Sequence, residues 1–129
     1  PILIESNSQK SLEKLKELCQ ILEVEFEEVD SKKRLHYHLA ASFANNFTNH
    51  ILSLTDELVN KFKLKKKFFI PIANETFKKF QSNKSKESQT GPAVRNDVKT
   101  LKKHEEILKK SNYLNLYKII TKSIKKNDL

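Results

Sequence analysis

Apolar positions recur along the 129-residue chain with two periods, and each period predicts a different kind of element. Pro1 to Ile4 is short, apolar and β-prone, and reads as a strand. Ser8 or Ser11 offers a helix cap, and Leu12, Leu15, Leu18, Cys19 and Leu22 follow at helical spacing. Val24 to Val29, apolar at 24, 26 and 29, reads as a second short strand. Strand, helix and strand at this length predict a βαβ-like unit. Two strands do not make a stable sheet by themselves. Residues 1–30 are therefore expected to be the edge of a larger sheet whose other strands lie outside this chain.

Asp30 or Ser31 caps the next helix. Leu35, Leu39, Phe43, Phe47, Ile51, Leu54 and Leu58 recur at intervals of three and four, and the pattern persists to about Phe62. A helix of roughly 30 residues spans about 45 Å. Such a helix packs along much of its length, here on other helices or a second subunit. Ala40, Ala41 and Ala44 leave room for close backbone approach. Phe68 to about Phe80, with Pro71 in its first turn, predicts a third helix. Gln81 to Gln89 is polar and has no apolar anchor. The segment Thr90 to Asp97 (TGPAVRND) follows. Asn96 or Asp97 caps a fourth helix, Val98 to about Lys110, and Tyr113 to Ile124 predicts the last. The Lys-rich tail beyond Ile124 is expected to fray.

Composition narrows this picture. The chain has one Gly and three Pro. A single glycine argues against a β-rich fold with many tight turns, and excludes a complete GxGxxG dinucleotide loop. Pro1 is not a translation start, so the chain is expected to be a processed product or a cut-out domain. The lone Cys19, among apolar helix positions, reads as a buried structural thiol, and the sequence is compatible with a reducing cytoplasm. No apolar run approaches the roughly 18 residues of a membrane helix. The expectation is a cytoplasmic domain with no membrane partner.

The net charge is +9, unevenly spread: residues 1–60 carry 6 basic and 10 acidic side chains, residues 61–129 carry 19 and 6. A basic half can serve an anionic partner. Yet only Arg34 and Arg95 are arginines, and specific phosphate and base recognition favours the bidentate arginine fork. Nucleic acid is therefore not expected as a partner. The basic aromatic run from Phe62 to Phe69 fits helix-core and junction positions better than a single-strand-binding platform.

Three constellations carry candidate chemistry. His38, Ser42, Asn45 and Asn49, spaced by four, three and four, share one face of a regular α-helix. The row either hydrogen-bonds a substrate beside a cleft or forms a polar seam between helices or subunits. His36 and His38 diverge by about 200° on a helix, and no His/Cys pair has a metal spacing, so no metal is expected. In TGPAVRND, Gly91 permits a backbone shape that other residues resist, Arg95 can grip a carboxylate or phosphate, and Asp97 can cap. A helix N-terminus there adds a weak preference for anions. The competing reading is a structured loop whose Arg95 pairs with Asp97 or another carboxylate.

TGPAVRND, taken with HLAASFANNFTNH at 38–50, resembles the C-terminal helical domain of unknown function that follows a Rossmann-like domain in bacterial NADP-dependent oxidoreductases. That family is related to pyrroline-5-carboxylate reductase, ketopantoate reductase and 6-phosphogluconate dehydrogenase. The resemblance spans nearly the whole chain, from PILIES to the helix holding Leu116 and Tyr117. It implies a mainly α fold. This is a helical bundle of the 6-phosphogluconate dehydrogenase C-terminal-like type, with one long helix, preceded by a strand–helix–strand piece of a Rossmann-like sheet. It implies two parts, residues 1–30 at the edge of that sheet and 31–129 as a dimerisation and substrate domain. It implies a homodimer, a small-molecule substrate, and NADP bound mainly by a domain absent from this chain.

By the same resemblance, His38, Ser42, Asn45 and Asn46 would face the nicotinamide cleft, His38 as the catalytic proton donor or acceptor. Thr90, Gly91, Arg95 and Asp97 would line the cleft from the loop. Asn96 stands where the family motif carries Gly, which implies a reshaped loop. The rival function is a non-enzymatic helical interaction module that docks an acidic partner on its basic surface.

Overall fold

A computed structural model of the chain describes residues 1–82 and 85–126. The chain divides into two compact units, Pro1–Lys66 and Lys67–Leu129. In the first, β1 (Ile2–Ile4) and β2 (Phe26–Glu28) flank α1 (Gln9–Ile21). The strands pair in parallel with Ile2 opposite Phe26, Leu3 opposite Glu27 and Ile4 opposite Glu28. The period-2 side-chain alternation puts Ile4 on the face that α1 covers. Intervals of three and four bring Leu12, Leu15 and Cys19 to the same place. Ile4, Leu12 and Cys19 are buried, with Leu15, Val24 and Phe26 packed against them. Each such aliphatic burial stabilises by roughly 1.5–3 kcal/mol.

A continuous helix then runs from Ser31 to Lys61. It comprises α2 (Ser31–Ala41), a π turn (Ser42–Phe47) and α3 (Thr48–Lys61). Asp30 caps it, its carboxylate accepting the Lys33 backbone N–H. Two side-chain groups fasten its first turns to the strands. Glu5, just past β1, accepts from both Ser31 and Arg34, and Glu27 on β2 accepts from both Lys33 and Tyr37. These bonds hold Glu27 below the usual carboxylate range, Lys33 being the larger cause, and push Tyr37 up.

The second unit holds α4 (Ile70–Gln81), α5 (Val98–Leu108) and α6 (Leu114–Lys126). A short 3-10 turn, Lys66–Phe68, spans the boundary between the units. Ala93, Leu101 and Leu108 are its buried apolar residues among those described. The His104 ring nitrogen Nδ1 lies 2.9 Å from the Tyr117 hydroxyl, and Lys118 pairs with Glu105 at 3.4 Å, so α6 is tied to α5 by polar contacts.

The mainly helical architecture follows the apolar periods closely, with three differences. The second strand is shorter than Val24–Val29, because Val24 closes α1: its N–H donates to Cys19 O and the Glu23 N–H to Gln20 O. Glu23 turns left-handed there, at φ 52°. The last helix continues past Ile124 to Lys126. The rest of the tail expected to fray, 127–129, lies outside the described residues, as do 83–84 of the polar run. The third difference is the π turn.

Candidate functional site

The first group of candidate residues sits in the middle of the long helix, and the π turn rearranges it. A π turn hydrogen-bonds five residues back instead of four, so it rotates less per residue than the α-helix. Across Ser42–Phe47, positions four apart share a face, and positions three apart do not. Asn45 therefore leaves the row with His38 and Ser42, which corrects the spacing argument made on an ideal α-helix. Asn46 takes its place, and His50, four further on, extends the row. The row set by the backbone is His38, Ser42, Asn46 and His50.

These side chains are accessible. His38, Asn45 and Asn46 are exposed and Ser42 is half-buried. The Ser42 hydroxyl donates to His38 O at 3.0 Å, and the Thr48 hydroxyl to Phe43 O at 3.0 Å. Both satisfy carbonyls in and beside the irregular turn. The Asn45 amide donates to Asn46 Oδ1 at 3.3 Å, linking the two side chains. The His38 ring has no hydrogen-bond partner among the described residues.

The second group lies in the second unit. Gly91 has φ 113°, a backbone state open to glycine and strained for other residues. Pro92–Arg95 forms one helical turn closed by Asn96, whose φ is 51°. The Asn96 N–H donates to Ala93 O at 3.3 Å and the Asp97 N–H to Pro92 O at 2.9 Å, the paired bonds of a Schellman closure. Asparagine is among the residues that tolerate the left-handed region best after glycine. Here it carries the turn that the family's glycine would carry, and its side chain also accepts from Lys125 at 3.0 Å.

Asp97 caps α5. Its carboxylate accepts the Thr100 N–H at 3.0 Å and the Thr100 hydroxyl at 2.7 Å. These two bonds hold Asp97 below the usual aspartate range, with Arg95 a smaller cause. The carboxylate fills the helix N-terminus, so the anion preference expected there is spent on the chain's own cap. Arg95 is exposed and has no hydrogen-bond or ion-pair partner among the described residues. Among the described residues Arg95 forms no ion pair with a carboxylate, and it acts on Asp97 only through space. Thr90 is exposed, its carbonyl accepting from Gln89 at 3.2 Å.

The structure thus gathers Ser42, Asn46 and His38 on one helix face, and gathers Gly91, Arg95 and Asp97 in one short segment. Arg34, the other arginine that stands out in the sequence, is committed to Glu5. Sequence spacing missed His50, since no sequence rule marks a π turn. A pocket of about 360 Å³ opens at the C-terminal ends of β1 and β2, lined by Glu5, Ser6, Glu28, Val29 and Asp30. Its carboxylates are occupied: Glu5 by Arg34, Glu28 by Lys16 at 2.6 Å and Asp30 by its cap. Among the described residues no group of His, Cys, Asp and Glu has the makings of a metal site, and no helix is long and apolar enough to cross a membrane.

Residues 1–124 match the family model of a domain of unknown function, DUF2520. A crystal structure from Bacteroides fragilis, described as a "putative NADP oxidoreductase", matches 96% of this chain at 34% identity with a TM-score of 0.89. The chain spans about half of that protein, 48% of its length. The comparison with curated proteins gives no match.

Proposed function

The chain belongs to the DUF2520 family, and from that premise we propose that it is the helical dimerisation and substrate half of an NADP-dependent oxidoreductase. The observation that carries this reading is the likeness over 96% of the chain to a protein described as a "putative NADP oxidoreductase", of which this chain covers 48%. The residues present do not fit the dinucleotide itself. The only glycine, Gly91, opens the turn in TGPAVRND, and no glycine-rich loop leads into a helix. The cofactor therefore belongs to a preceding nucleotide-binding domain, and its nicotinamide supplies or accepts the hydride there.

This chain's part is to bind and orient. Arg95, exposed and without an ion-pair partner among the described residues, is the anion grip for a small acidic substrate. Asp97, held ionised by Thr100, fixes the turn that carries Arg95. His38, with Ser42 and Asn46 on its face, is the proton donor or acceptor. The strand–helix–strand segment, whose short parallel pair is too small to stand alone, continues the sheet of the cofactor domain. The bare apolar face of the long helix is a subunit contact.

Isothermal titration with NADPH separates the two halves of this proposal. The full-length protein binds NADPH with micromolar or better affinity, and the 129-residue chain does not bind it. Tight binding by this chain alone, or none by the full-length protein, overturns the assignment.

A further inference from the structure

Asn96 holds the left-handed position that closes the turn after Arg95, at φ 51°. Glycine fills such a position with least strain, and asparagine is the usual second choice. What asparagine adds is a side-chain amide, whose Oδ1 accepts from Lys125 Nζ at 3.0 Å. The bond spans 29 positions, from the last turn of α6 to the segment before α5. It commits one of the three ammonium donors to a neutral oxygen, which does not offset the positive charge. Lys125 has no carboxylate partner among the described residues. The nearest acid in the sequence to this turn is Asp97, and both of its oxygens accept from Thr100. Asp97 is the one acid between Ser88 and His104, and α6 has none.

We infer that the anion bound beside this turn is a phosphate monoester on the small substrate, with Arg95 and Lys125 as its two cations and Asn96 as the residue that brings Lys125 there. The inference rests on the reading of Arg95 as the anion grip and names the class of anion. Arginine alone would serve a carboxylate, whose two oxygens match its planar fork. A phosphate monoester carries close to two charges above neutral pH and has three terminal oxygens. The fork takes two of them, and an ammonium, a compact point charge, suits the third. Consecutive Cα atoms lie only about 3.8 Å apart, so the ammonium held at Asn96 stands beside the base of the Arg95 side chain. That side chain has no bonded partner among the described residues to hold it away from the same ligand.

Titration of the isotope-labelled chain, followed by the backbone amide signals of residues 94–97, tests this with inorganic phosphate and acetate as probes. Both are added at pH 8 and constant ionic strength. Phosphate is expected to bind about tenfold more tightly than acetate. In Asn96→Gly, which suits the backbone of the turn, and in Lys125→Ala, phosphate weakens about fivefold while acetate is unchanged. Arg95→Ala weakens both probes. Phosphate that binds no tighter than acetate, or that is indifferent to the changes at Asn96 and Lys125, overturns the inference and leaves the Arg95 grip standing. Signals that neither probe moves overturn both. In the full-length protein Asn96→Gly leaves the affinity for NADPH unchanged. A lower affinity assigns the phosphate to the cofactor and overturns its place on the substrate.

Discussion

Asp97 keeps its charge because two donors of Thr100, the backbone N–H and the hydroxyl, converge on one carboxylate. A carboxyl whose pKa is depressed by folding adds stability that is fully present above the unfolded value and is lost as pH falls through the folded one. Asp97→Ala is expected to lower the urea midpoint at neutral pH, as loss of an N-cap does. Asp97→Asn retains a capping oxygen, and its deficit against the unmodified chain shrinks as urea unfolding is repeated from pH 7 down to pH 3. A constant deficit contradicts the role given to the charge. The two arginines show where single residues stop being legible. Both stand out in a lysine-rich sequence, but only the fold brings Glu5 to Arg34, across 29 positions, and leaves Arg95 without an ion-pair partner among the described residues. Spacing says which residues share an element and is silent on which carboxylate arrives from elsewhere.

The helices themselves were readable because their apolar intervals are regular and cap residues stand at their starts: Asp30 and Asp97 cap with their carboxylates, and Ser8 holds the N-cap position without a side-chain bond, each among the residues the sequence offered for the role. The ends were less readable, because the chain has almost no glycine to mark them. Glu23 and Lys63 take the left-handed positions that close α1 and α3, at φ 52° and 53°. That conformation costs a residue with a side chain roughly 1–2 kcal/mol, part of which glycine returns as chain entropy. Glu23→Gly and Lys63→Gly are each expected to stabilise by about 0.5–1 kcal/mol, raising the thermal midpoint. An unchanged or lowered midpoint contradicts the strain argument. The π turn left the least trace in the sequence. Ser42, Asn45, Asn46 and Thr48 are indifferent helix formers, but nothing in their order distinguishes a π turn from a weak α-helical stretch. That is why Asn45 entered the candidate row and His50 did not.

For the molecule as a whole, the chemistry in the proposed function is divided between this chain's candidate binding residues and a cofactor held by a preceding domain. Its net positive charge lies wholly in the second half, the first half being net negative, and a charge-free stretch, residues 35–55, lies in the centre of the long helix. An exposed apolar stripe of that length, on a helix with no buried residue in α2 or the π turn, is the mark of a surface that works covered. The account therefore depends on association before any chemistry. The most direct test is the solution mass of this chain by light scattering on a sizing column, over a range of concentrations. The account predicts twice the 15.1 kDa chain mass, little changed by salt, because the contact is apolar. A folded monomer at 15.1 kDa contradicts it.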